Sequence, residues 1–282
     1  MDNNKNEWLK LFAVMGGEDW WERKKLECEE RGVEIIKLHA SAQPSRQIKL
    51  NNEIKNFGQV YLRLLIQQEG EYYHEERIMP YLTIRNNEGV RLVSRSKQNP
   101  GTELNNLSHP YQKKDSKRTT RFVYDRFAAV QYAERWWNSY NPQYEIFEVD
   151  CTNYVSQCLF AGGAPMHGYP NRSQGWWYQN NQWSFSWSVA HSMRWYLSGA
   201  ENMLFSKEVE SAQELNPGDV ICYDFEGDGR FDHTTIVVAK DANDMPLVNA
   251  HTNNSRHRYW TYQDSLAWTP ETQYKFFRIG ET

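Results

Sequence analysis

Between residues 60 and 66 the chain alternates, with Val60, Leu62, Leu64 and Ile66 set against Tyr61, Arg63, Leu65 and Gln67. A period of two predicts a strand with one buried face. Residues 81–85 and 90–93 flank the turn-like tetrapeptide Asn86-Asn-Glu-Gly89, so 47–96 reads as an antiparallel meander. Upstream the period changes. Trp8, Leu11, Phe12 and Met15 recur at three- and four-residue spacing, and 7–38 reads as helical with a break at Gly16-Gly17. Asp19 can cap a second helix from residue 20 to about residue 31, which Gly32 stops. Helices followed by strands predict a small α+β layer over 1–96.

Residues 97–119 are polar, hold two prolines and lack periodicity, which marks a linker. The second half, 120–282, begins with a helical stripe of Phe122, Phe127, Val130, Ala133 and Trp137 that ends at Asn141-Pro142. A second helix starts near Cys151, buries Tyr154, Val155, Cys158 and Leu159, and stops at Gly162-Gly163. Strands are expected at 219–223, 233–239, 246–251 and 273–279. Helices first and an antiparallel sheet after them again predict α+β.

Charge narrows the function classes. Lysine and arginine total 32 against 36 aspartates and glutamates, a net charge of −4, so no nucleic-acid partner is expected. No apolar run approaches the roughly 20 residues of a spanning helix, so no membrane span is expected. The start Met-Asp-Asn-Asn-Lys-Asn-Glu-Trp lacks the basic and apolar regions of a secretory signal. A cytoplasmic location is therefore expected, with spore association or release on lysis as the other routes. Cys28, Cys151, Cys158 and Cys222 form no Cys-x-x-Cys pair, and no cofactor is expected.

Two residues carry candidate chemistry. Cys151 opens a helix, where free amides and the helix dipole favour a thiolate. His233 stands at the mouth of a strand about 80 residues downstream. A nucleophilic cysteine and a histidine base meeting in space is the logic of a thiol hydrolase. A third group would orient the imidazole, and the next strand offers Leu247, Asn249 and His251 on one face.

These features sit inside longer motifs: Tyr124-Asp-Arg-x-Ala-Ala-Val-x-Tyr-Ala133, Asn141-Pro-x-Tyr144, Asp150-Cys-Thr-Asn-Tyr-Val-Ser-Gln-Cys-Leu159 and Ala161-Gly-Gly163. Further along come Gly175-Trp-Trp-Tyr178, Gly218-Asp-Val, Asp228-Gly-x-x-Asp-His233 and His251-Thr-Asn. Over about 120–280 the chain resembles the putative amidase domain family of Firmicutes, which is similar to papain-like and CHAP-like cysteine amidohydrolases. The resemblance implies a papain-like domain that cleaves an amide bond, with Cys151 as nucleophile, His233 as base and His251, or alternatively Asn249, orienting the base. It also implies a peptide or amide substrate of cell-wall, peptidoglycan-derived type. It says nothing about residues 1–115. One departure concerns the oxyanion: papain-type enzymes carry a glutamine shortly before the cysteine, whereas Glu145 stands there and Gln143 lies further off. The Cys151 amide is then the expected donor.

Trp176 and Trp177 are candidates to line a substrate cleft, weighed against a role in the core. Asp224, Glu226 and Asp228 with Gly229 resemble the start of a calcium loop, but Thr235 replaces the closing glutamate, which favours a plain polar turn. Two rival functions use the same residues: a binding or structural protein with a vestigial site, and an acyl transferase of transglutaminase type.

Overall fold

The computed structural model describes residues 18–86, 89–93, 122–199 and 203–280. The helix expected at 7–15 and the linker at 97–119 lie outside the described residues. The chain divides into two compact units, Met1–Asn99 with Thr261–Trp268, and Pro100–Trp260 with Thr269–Thr282. Sequence patterning does not single out 261–268, which clusters with the first unit because Asp264 accepts hydrogen bonds from Trp20 Nε1 at 3.0 Å and Arg77 at 2.8 Å.

In the first unit, helix α1 (Glu18–Arg31) ends where Gly32 takes φ +66°, a conformation that suits glycine. Strands β1 (Glu34–Leu50), β2 (Glu53–Gln68) and β3 (Glu71–Asn86) form an antiparallel meander, and β4 (Gly89–Val93) pairs with β3. The turn between β2 and β3 places Glu69 at φ 50° and Gly70 at φ 88°, the two left-handed positions of a tight hairpin. Alternation along β2 holds as expected: Val60, Leu62, Leu64 and Ile66 are buried with Trp20, Cys28 and Val33. The helical reading of 7–38 is corrected past Gly32, because β1 begins at Glu34. Its polar run Gln43–Gln47 hides the strand, and only pairing with β2 reveals it. Lys24 is fully buried, and its Nζ lies 2.9 Å from Glu27 Oε1 and 2.5 Å from Glu75 Oε2. Burial pushes this ammonium's pKa down, but Glu27 and Glu75 more than reverse it and hold the group protonated.

The second unit is α+β. Helices α2 (Arg126–Trp136), α3 (Cys151–Ala161), α4 (Phe185–Ser188) and α5 (Ala190–Ser198) precede strands β7 (Lys207–Val209), β8 (Val220–Asp224), β9 (His233–Lys240), β10 (Pro246–Ala250), β11 (Ser255–Tyr259) and β12 (Gln273–Arg278). A small hairpin of β5 (Tyr178–Gln179) and β6 (Gln182–Trp183) turns through Asn180 and Asn181, both at positive φ. The sheet order is β7-β12-β8-β9-β10-β11, antiparallel throughout. Asp125 caps α2 by accepting from Ala128 N at 3.0 Å. The core joins Ala129, Ala133, Tyr154, Val155, Cys158 and Leu159 of α2 and α3 to Val220, Cys222, Ile236 and Val238 of the sheet. Patterning does not reveal β11, whose Arg256-His257-Arg258 core reads as a polar loop. No helix among the described residues is long and apolar enough to cross a membrane.

Candidate active site

Cys151 is the first residue of α3 and is 1% exposed. Its sulfur lies 3.8 Å from Thr152 Oγ1 and meets the backbone of Thr234 on β9. Thr152 and Thr234 hydroxyls are 3.2 Å apart, which fastens the first turn of α3 to the mouth of β9. Burial pushes the Cys151 thiol up, and the Thr234 and Thr152 contacts only partly offset this. Burial therefore works against the thiolate expected from the helix start.

His233 opens β9 in register with Tyr223, with ring centroids 5.5 Å apart, and stacks on Phe225 at 6.1 Å. Neighbouring residues of a strand point to opposite faces. Since Thr234 turns toward α3, the His233 ring leaves on the other face. Burial, and then the Arg258 guanidinium, pull its pKa down to about 3, so the imidazole is neutral near pH 7. The thiol's hydrogen bonds go to Thr152 and Thr234, and neither His233 nor His251 is among its partners.

His251 follows β10 and is 2% exposed. Its Nδ1 lies 2.7 Å from Asp150 Oδ2 and its Nε2 2.8 Å from the Trp136 carbonyl oxygen. The ring stacks on Tyr154 at 4.0 Å, and Tyr140 meets it edge-on at 4.8 Å. The expectation that His251 orients His233 is corrected, because both of its nitrogens are engaged by Asp150 and Trp136. Asn249 does not orient His233 either. It donates to Glu134 Oε1 at 2.9 Å and accepts from His257 N at 2.9 Å. Burial would raise the Glu134 carboxyl, but His257 and Arg256 reverse this and lower it to about 2.

Asp150 is the partner that sequence reasoning left without a role. It occupies the N-cap of α3 but makes no side-chain bond to the helix amides. Oδ1 accepts from Phe147 N at 3.1 Å and Asn153 Nδ2 at 2.8 Å, and Oδ2 faces His251. An aspartate directly before a helix-opening cysteine is the available signal, since that position ordinarily caps. Glu145, in the neighbourhood expected to serve the oxyanion, instead uses its backbone oxygen to accept from Asn153 Nδ2 at 2.9 Å.

Trp176 and Trp177 are fully buried, which corrects their assignment to a cleft. The Trp176 indole donates to Ser156 Oγ at 2.9 Å, and that of Trp177 to the Asn171 and Gln174 carbonyls, so both are satisfied inside the core. The half-buried Trp183 packs at 4.8 Å on Phe147, in the chain that leads into Cys151. In the acidic turn, Asp224 accepts from the backbone amides of Gly227, Asp228 and Gly229, and Asp228 accepts from Arg230 N. This is the polar turn, held by side-chain-to-backbone bonds. The carboxylates that gather are Asp224, Glu226 and Asp232, with oxygens within 4.8 Å of one another, rather than Asp228. Burial and Glu226 push the Asp232 carboxyl up to about 7.

Residues 123–277 match the model of the putative amidase domain. The chain belongs to that family. It is 46% identical over 272 residues to uncharacterized protein YhbB of Bacillus subtilis (strain 168), covering 92% of this chain and 85% of that protein. It is 30% identical over 139 residues to uncharacterized protein YjcM of the same strain, covering 46% of this chain and 31% of that protein. No solved structure matches the chain significantly. Membership in a putative amidase family suggests an enzyme of amide hydrolysis.

Proposed function

We propose that this protein is a thiol-dependent amide hydrolase of papain-like type, with Cys151 as nucleophile and a thioester intermediate. The observation that carries the reading is the position of Cys151 at the first residue of α3, against the Thr234 backbone at the mouth of β9. His233, one residue before Thr234, serves as the base. His251 is unsuited to that task because Asp150 and Trp136 engage both its nitrogens. Because His233 leaves β9 on the face away from α3, bringing the imidazole to the sulfur requires the mouth of the strand to rearrange when substrate binds, and the catalytic hydrogen bond forms only then. A neutral imidazole then takes the thiol proton as sulfur attacks the carbonyl, and returns it to the leaving amine. Water completes hydrolysis of the thioester.

The substrate class we assign is a peptide amide of cell-wall type, the class to which the resemblance points, with the protein acting in the cytoplasm or after release by lysis. Residues 1–96 and 120–282 are read as domains joined by 97–119, so limited proteolysis should cut first within 97–119. Amine release from cell-wall peptides by the protein and by Cys151→Ser tests the chemistry. Release by the protein and none by the variant is expected, and equal release by both refutes the reading. Adding a second amine separates hydrolysis from acyl transfer by the product formed. A second reading, a binding protein with an inert site, is favoured by the burial of Cys151 and the absence of an imidazole from its hydrogen bonds. It predicts no release by either form.

A further inference from the structure

The Asp150–His251 pair carries an inference that the proposed mechanism does not use. The Trp136 carbonyl oxygen can only accept, so Nε2 of His251 carries a proton. Oδ1 of Asp150 accepts from Phe147 N and Asn153 Nδ2. The remaining contact, Nδ1 to Oδ2, is 2.7 Å, the length of a charge-assisted hydrogen bond, and two bare lone pairs would repel there. The contact is therefore a hydrogen bond, with the imidazole as the partner of Asp150 Oδ2. Without the imidazole, Asp150 would stand as a buried anion beside the Cys151 thiol.

We propose that His251 is a positioning and charge-balancing residue, which cancels the charge of Asp150 next to Cys151 and ties the start of α3 to the end of α2. The inference rests on the reading of Cys151 as nucleophile only for its catalytic meaning. The electrostatic coupling itself is independent of turnover. Asp150 is among the groups that raise the Cys151 pKa, after burial. The Tyr140 and Tyr154 phenols meet the His251 ring, and the Cys222 thiol lies near Cys151. Burial pushes all three up and the His233 imidazole down, so all four remain neutral near pH 7. Asp150 is thus the anion that His251 must balance.

The test is a thiolate titration, read as ultraviolet absorbance near 240 nm as the difference between each protein and its Cys151→Ser counterpart. His251→Gln should raise the Cys151 midpoint by about one pH unit, the order of shift a neighbouring charge produces. Asp150→Asn should leave the midpoint unchanged or lower it. The double variant D150N/H251Q should titrate like the parent protein. A merely structural role would move both single variants in the same direction, and that result overturns the proposal, as does an unshifted midpoint in His251→Gln. If His251→Gln fails to fold, the double variant must fold and titrate normally, since it removes the uncompensated anion, and its failure also overturns the proposal. Full turnover in Cys151→Ser would refute the nucleophile assignment without touching this result.

Discussion

Nδ1 of His251 lies 2.7 Å from Oδ2 of Asp150, the residue immediately before Cys151. The contact joins the strand that would supply an orienting residue to the helix that supplies the thiol. Its consequence for stability differs from that of Asn249, two residues earlier on the same face. His251→Ala leaves a buried carboxylate without its partner, which costs about 3–5 kcal/mol. Asn249→Ala removes one donor and one acceptor, and costs about 1–3 kcal/mol. Urea unfolding of both variants checks the order, and a larger loss in Asn249→Ala would contradict the assignment.

His233 predicts an acid-sensitive fold. Its native pKa of about 3 lies below the ordinary histidine value, so the unfolded chain binds a proton at a pH where the native state does not. The stability that this group contributes is present above about pH 6.5 and is lost as pH falls toward 3. The slope is at most about 1.4 kcal/mol per pH unit. His233→Gln should flatten the dependence between pH 6.5 and pH 5, measured as urea midpoints at the two values. An equal slope in parent and variant would show that another group carries it.

The same depression bears on activity. A base that is already neutral at pH 5 produces no acid limb near pH 6.5 in kcat/KM. Because burial raises the Cys151 thiol, the rate should climb on the alkaline side as the thiolate forms. A pH profile on an amide substrate checks this, and a rise centred near pH 6.5 would contradict it.

In the first unit, Lys24 lies between Glu27 and Glu75, all buried. Lys24→Met removes the cation and leaves two carboxylates in the core, at a cost of about 3–5 kcal/mol. The triple variant K24M/E27Q/E75Q should recover much of that loss, as seen in thermal unfolding. A triple variant less stable than Lys24→Met would show that the charges are not the cause.

Much of this architecture was legible in the chain itself. The alternation of Val60, Leu62, Leu64 and Ile66 predicted β2 because one face is buried and the other is not. Cys151 was legible as a helix start, and His233 as the first residue of a strand, from local punctuation alone. What escaped depended on contacts distant in sequence. β1 and β11 carry polar runs whose strand character comes from their partners. Trp176 and Trp177 resemble cleft residues by composition, yet their indole donors are satisfied by Ser156, Asn171 and Gln174. The Asp150–His251 pair spans 101 residues, and no local pattern announces it. The burial that raises the Cys151 thiol is hidden for a related reason, since a helix end is visible in sequence but burial is not.

The proposed reaction passes through a thioester on Cys151. Mass spectrometry of the whole protein, quenched in acid while it turns over cell-wall peptide amides, tests it directly. A mass increase equal to the acyl portion of the substrate is expected, mapped to Cys151 and absent from Cys151→Ser, which should also release no amine. Amine release undiminished in Cys151→Ser would contradict it.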